Sequence, residues 1–174
     1  MIWVVLAISV VLGASALVVL IGSRLPRNHV VSRGAHYNVS PEDLWEVISD
    51  FGSQPGWRHD IRRVERLPDR GGRPVWQETD KRGQALTMET EESNPPRRLV
   101  RRIADEHLSF GGRWIMEIGA FGEVTSLTVT EDGEIYNPAL RFMLHFIVGQ
   151  TSTIDGYLRS LGTKLGVDVS ITQG

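Results

Sequence analysis

Side chains that do chemistry are sparse in this sequence and lack the spacings that assemble a motif. The five histidines, His29, His36, His59, His107 and His145, are scattered, and none forms an H-x-x-x-H pair, so no metal site is expected. The absence of cysteine excludes disulfides, thiolate catalysis, zinc fingers and iron–sulfur clusters. No G-x-S-x-G or phosphate-binding glycine loop occurs. What remains for acid–base work is His145, Tyr157, and Glu89 and Glu117 on strand-like segments. Alternation leaves open which way the two carboxylates face. No cofactor is implied.

Large apolar side chains are more conspicuous. Period-two alternation puts Trp114, Met116 and Ile118 on one face of a strand and Arg113, Ile115 and Glu117 on the other. Trp76 and Met88 are the bulky apolar residues of the middle strands. Phe142 and Phe146, four apart, are placed to meet on a helix. Residues 139–148 (ALRFMLHFIV) are apolar on nearly every side of such a helix. One face must pack on a sheet; the other is left to cover a cavity, touch a bilayer, join two copies or be buried.

These residues are positioned by a strongly divided chain. Residues 1–23 carry no charge, and every acid and base lies at or beyond Arg24. As a helix, residues 1–22 span about 33 Å, enough for a hydrocarbon core of about 30 Å. Trp3 suits an interface, and Pro26 ends the helix. A cleaved secretory signal would need a basic start, but the chain opens Met-Ile-Trp, and Leu17 to Ile21 continue past the small Ala14-Ser15-Ala16. A core helix apolar all round belongs inside a large protein, and the rest of this chain is one ordinary domain. The expectation is a single-pass anchor over 1–23 and a linker over 24–28. Arg24, Arg27 and Arg33 place the following domain in the cytoplasm by the positive-inside rule.

The 174 residues hold 19 basic and 21 acidic side chains, a net −2, so no basic field exists to displace nucleic-acid counterions. Arginines cluster at 62, 63, 66, 70 and 73 and at 97, 98, 101 and 102, interleaved with Glu65, Asp69, Asp105 and Glu106. That pattern reads as solvated strand faces, with a patch for anionic headgroups as the alternative.

A strand is predicted over 29–39. Ser40 caps a helix over 41–50, with Pro41 at its first position and Glu42 and Asp43 at the positive end of its dipole. Strands broken by turn chemistry follow at 60–67, 74–79, 85–92, 98–104, 114–121 and 123–130, the last ended by Asp132-Gly133. Asn137-Pro138 opens a long helix to about 165, with a bend at Gly149, Gly166 as its cap and a frayed tail over 167–174. Antiparallel strands flanked by helices are α+β.

The stretch from Tyr37 through Ser40-Pro41-Glu42-Asp43-Leu44-Trp45 to Phe51, followed by Pro55-Gly56-Trp57, resembles the opening of the START/polyketide cyclase superfamily. So do the corner at Glu92-Ser93-Asn94-Pro95-Pro96, the late strand pair and the long helix after Pro138. The resemblance covers 29–166. It implies a helix-grip fold, a curved antiparallel sheet wrapped around a long C-terminal helix, as in the major birch pollen allergen, with a hydrophobic cavity between them. On that resemblance Trp57 lies near the cavity mouth, and Trp76, Met88, Trp114, Met116, Phe142, His145 and Phe146 become candidates to touch a ligand, although core packing accounts for the same residues. The expected function is a membrane-anchored domain binding a lipid or other hydrophobic small molecule. The alternatives are a cyclase-, dehydratase- or hydrolase-like enzyme, using groups such as His145, Glu117 or Tyr157, and a protein-interaction module.

Overall fold

The computed structural model of the protein describes residues 1–105, 107–121 and 124–173. Glu106, Glu123 (the expected start of the last long strand) and Gly174 (the end of the expected tail) lie outside the described residues.

Helix α1 (Ile2–Arg24) is 23 residues long, apolar, and almost wholly exposed along its length. Strand β1 (Asn28–Tyr37) follows, then α2 (Pro41–Ser49), whose cap is as expected: the Ser40 hydroxyl oxygen accepts from the Asp43 N–H at 3.1 Å. A 3₁₀ turn at Phe51–Gly56 leads into β2 (Ile61–Arg70), β3 (Arg73–Asp80), β4 (Ala85–Asn94), β5 (Arg98–Ile103), β6 (Phe110–Phe121) and β7 (Val124–Ile135). The chain closes with α3 (Pro138–Met143), a π-helical turn at Leu144–Val148, α4 (Ser152–Leu165) and a two-residue strand β8 (Thr172–Gln173).

All strand pairs are antiparallel, in the order β2-β3-β4-β5-β6-β7-β1-β8. This is the α+β, helix-grip arrangement that the sequence predicts. α4 crosses the concave face and buries Ile154, Leu158 and Leu161 completely, a stripe at helical spacing, with Tyr157 beside them. They pack against Leu99, Met116, Leu127 and Val129 of the sheet. The Tyr37 hydroxyl donates to the Leu158 carbonyl at 3.2 Å and ties the first long strand to α4.

Three local expectations change. β7 does not stop at Asp132-Gly133 but pairs through it, Gly133 opposite Gly112. A Cβ on Gly112 would lie 2.4 Å from the Asp132 carbonyl oxygen, and one on Gly133 would meet the His29 ring at 2.2 Å. The Asp-Gly pair is a close backbone approach here, not a turn. The long C-terminal helix is interrupted at Gly149, which adopts φ 86° and separates α3 and the π turn from α4. The tail does not fray: β8 pairs with Arg33 and Gly34, and Val167, Val169 and Ile171 pack against the core.

α1 packs on α3. Gly22 is buried there because an added Cβ would fall 1.9 Å from the Pro138 carbonyl oxygen. Val18 and Ile21, on the same face, are half-buried.

Candidate functional site

A cavity of about 600 Å³ lies between the concave sheet face and the C-terminal helical segments. Strand alternation decides what faces it. Cross-strand partners Trp76 and Met88, then Met88 and Ile103, Arg101 and Trp114, Leu99 and Met116, and Trp114 and Glu131 share one face. Met88, Trp114 and Met116 therefore line the cavity, as does Tyr157 from α4.

The other candidates lie elsewhere. Trp57 is buried behind the cavity with its ring edge-on to Tyr157, centroids 5.6 Å apart. Trp76 packs edge-on against Phe51 at 5.5 Å, with the Arg66 guanidinium over its ring. Phe142 and Phe146 do meet, at 4.9 Å, and His145 lies edge-on to Phe146 at 4.6 Å. That cluster faces away from the cavity: His145 is exposed and Phe146 is 57% exposed. The cavity wall from this segment is Leu140 and Leu144 instead. Glu89 lies on the convex face against Arg73 and Arg102, and Glu117 pairs with Arg98 in solvent.

The carboxylates that line the cavity are Asp60, Glu78, Asp80, Glu131 and Glu134. Arg58 leaves the end of the 3₁₀ turn and donates from Nε and Nη2 to the Asp60 carboxylate at 3.2 and 2.5 Å. Its Nη1 donates to Gln54 Oε1 at 3.0 Å and Glu78 Oε2 at 3.1 Å. Arg101 Nη1 donates to the other oxygen of Glu78. The Arg101 guanidinium carbon sits 3.9 Å from the centroid of the Phe51 ring, a cation–π contact. Arg101 is 3% exposed, Glu78 5% and Arg58 8%. Arg101 Nε and Nη2 are buried and find no partner among the described residues.

Burial opposes the charge on Glu78, but Arg101 and Arg58 outweigh it and hold the carboxyl below the usual carboxylate range. Burial also works against the charged form of Arg58, and the hydrogen bond to Asp60 with the charge of Glu78 holds its pKa above the ordinary value. Burial raises the pKa of the Tyr157 phenol well above its ordinary value, so it remains a neutral hydroxyl. Two strands along the same face from Arg101, Glu131 accepts from Trp114 Nε1 at 2.9 Å and lies 3.0 Å from His29 Nε2. The cavity thus joins an apolar wall, with Leu140, Leu144, Ile135 and Phe110, to a charged corner built by Arg58, Glu78 and Arg101.

The profile of a family described as polyketide cyclase/dehydrase and lipid transport matches residues 28–166. The chain belongs to that family. Solved structures with the same fold include a START superfamily protein from Mycobacterium smegmatis, 19% identical, with TM-score 0.64 over 79% of this chain and 97% of the other. The Zhui aromatase/cyclase from Streptomyces sp. R1128 is 16% identical, with TM-score 0.64 over 80% and 94%. Norcoclaurine synthase from Thalictrum flavum is 10% identical, with TM-score 0.62 over 79% and 86%. At these identities they share the fold alone. No curated protein matches the sequence. Membership in the polyketide cyclase/dehydrase and lipid transport family gives the cavity its class, a site for a hydrophobic small molecule. The match begins at β1, so α1 is an addition to the part the family shares.

Proposed function

We propose that this protein is a membrane-tethered carrier of an amphipathic lipid or similar hydrophobic small molecule. α1 is the anchor, with the domain on the cytoplasmic side. The apolar part of the ligand lies against Met88, Met116, Leu140 and Leu144. Each Å² of apolar surface withdrawn from water contributes about 25 cal/mol. An acceptor head, a carboxylate or a phosphate, reaches the charged corner.

One observation carries this reading. Arg101, a residue of the cavity wall, carries two buried N–H donors, Nε and Nη2, that have no partner among the described residues, in an otherwise largely apolar cavity. Leaving such donors unmade is unfavourable, and a ligand oxygen satisfies them. A cavity of about 600 Å³ is within the range of small-molecule sites. Tethering raises the effective concentration of the site at the bilayer from which such a ligand comes.

The test is displacement of a fluorescent fatty acid from the full chain in nanodiscs. Competition by a fatty acid, and weaker competition by the matching alcohol, supports the reading. Failure of the full chain to take up the probe overturns it.

A second reading rests on His29 and Glu131, an acid–base pair on the cavity wall, which suits a cyclase- or dehydratase-like reaction on the same ligand class. A ligand recovered from the protein and incubated with fresh protein would then change mass. It would not change with His29→Gln.

A further inference from the structure

Outside α1, the exposed large apolar side chains concentrate in one short segment. Met143, Phe146, Ile147 and Val148 are 42–65% exposed, and among the described residues only Val30, Phe110 and Tyr136 join them. A monomeric surface does not keep such a run in water without a reason. The same segment turns Leu140 and Leu144, four apart, to the cavity. Apart from buried Arg141 and exposed His145 it is apolar on both sides, with the cavity behind it and the exposed run in front.

The packing of α1 on α3 fixes where this run lies relative to the anchor. The residues of α1 that lose exposure are Val18, Ile21 and Gly22, spaced three and four apart, and Pro138 sits directly on Gly22. Val18 is six residues before Arg24, about 9 Å along the helix axis at 1.5 Å per residue. With Arg24 at the headgroups, α3 lies beside the part of α1 that is already within the apolar boundary. Interfacial elements sit at a depth of about 5–10 Å.

We infer that the α3–π-turn segment is a second membrane element. It lies in the lipid interface beside the anchor, with Met143, Phe146, Ile147 and Val148 among the acyl chains and Leu140 and Leu144 forming the cavity wall. The occupant of the exposed face is therefore the bilayer itself, and a single helical layer separates acyl chains from the cavity. Gly149, at φ 86°, is the joint where this layer meets α4. The inference rests on reading α1 as a membrane anchor.

The chain has no cysteine, so single probes can be placed without background. Ile147→Cys, Leu17→Cys in α1 and Glu46→Cys on the exposed side of α2 are each labelled with an environment-sensitive fluorophore in the full chain. The proteins are reconstituted in phosphatidylcholine–phosphatidylglycerol vesicles with or without lipids carrying a nitroxide on the upper acyl chain. The expected result is a blue-shifted emission and strong nitroxide quenching at positions 17 and 147, and neither at 46. Quenching at 17 with a water-like, unquenched probe at 147 overturns the inference and leaves the anchor intact. Loss of quenching at both positions overturns the anchor and the inference together. Oxidative trapping of an Ile147→Cys dimer without lipid quenching at 147 assigns the face to a second copy and also overturns it.

Discussion

Arg101 on β5 donates to Glu78 on β3 across the intervening strand β4, and both side chains are almost wholly withdrawn from solvent. Arg58 reaches the other oxygen of the same carboxylate. One acid thus holds two buried guanidinium groups at the closed corner of the cavity.

Glu78→Gln should lower unfolding stability by about 3–5 kcal/mol, because it leaves buried positive charge without its counter-ion. Denaturant titration of the full chain in detergent reads this directly.

The same acid sets a response to pH. Its folded pKa lies below the ordinary value of 4.5, so the unfolded chain takes up the proton first as pH falls. The stabilisation is complete above about pH 4.5 and is lost below it, toward the folded value. The contribution of Glu78 should therefore be constant through neutrality, and the native protein should show a decline in this acid window. Glu78→Gln should lose that part of the decline.

Arg101→Lys separates structure from recognition. Lysine keeps a charge for Glu78 but lacks the planar fork that presents Nε and Nη2. A lost charge-assisted hydrogen bond is worth about 1.5–3 kcal/mol, so affinity for a fatty acid should fall by about 10- to 150-fold. Affinity for the corresponding alcohol should change much less. Equal losses for both would remove the headgroup role from Arg101.

Gly22→Val should separate α1 from α3, since a side chain cannot occupy the space held by the Pro138 carbonyl. Hydrogen exchange should rise across 138–148 while β3 to β7 remain protected.

Leu158→Ala removes a fully buried side chain from the contact between α4 and the sheet. The expected loss is about 2–5 kcal/mol, measured by denaturant titration.

Much of this was legible in the residues. Ser40-Pro41 announces α2 because capping is local, and alternation puts Trp114 and Met116 on one face of a strand because strand geometry is local too, while the cavity on that face comes from the fold. The charged corner was missed because arginine and glutamate on strands read as solvent-facing. Yet Arg101 shares the parity of Leu99 and Ile103, and Glu78 that of Trp76, and this was the available signal. Phe146 and His145 are cavity candidates in the sequence because the family resemblance supplies a cavity beside the C-terminal helix, and a bend at Gly149 leaves open which face the segment before it presents. The π turn and Gly149 rotate that segment, and only packing against α1 explains its placement. Asp132-Gly133 read as a turn because the partner Gly112 is distant in sequence.

On the proposed reading, the cavity holds an amphipathic ligand with an acceptor head. The most direct measurement is native mass spectrometry of the full chain taken from membranes into nanodiscs. One lipid-sized acidic molecule per chain should be retained by the native protein and depleted in Arg101→Lys. A chain of bare mass that also fails to take up added fatty acid would contradict it.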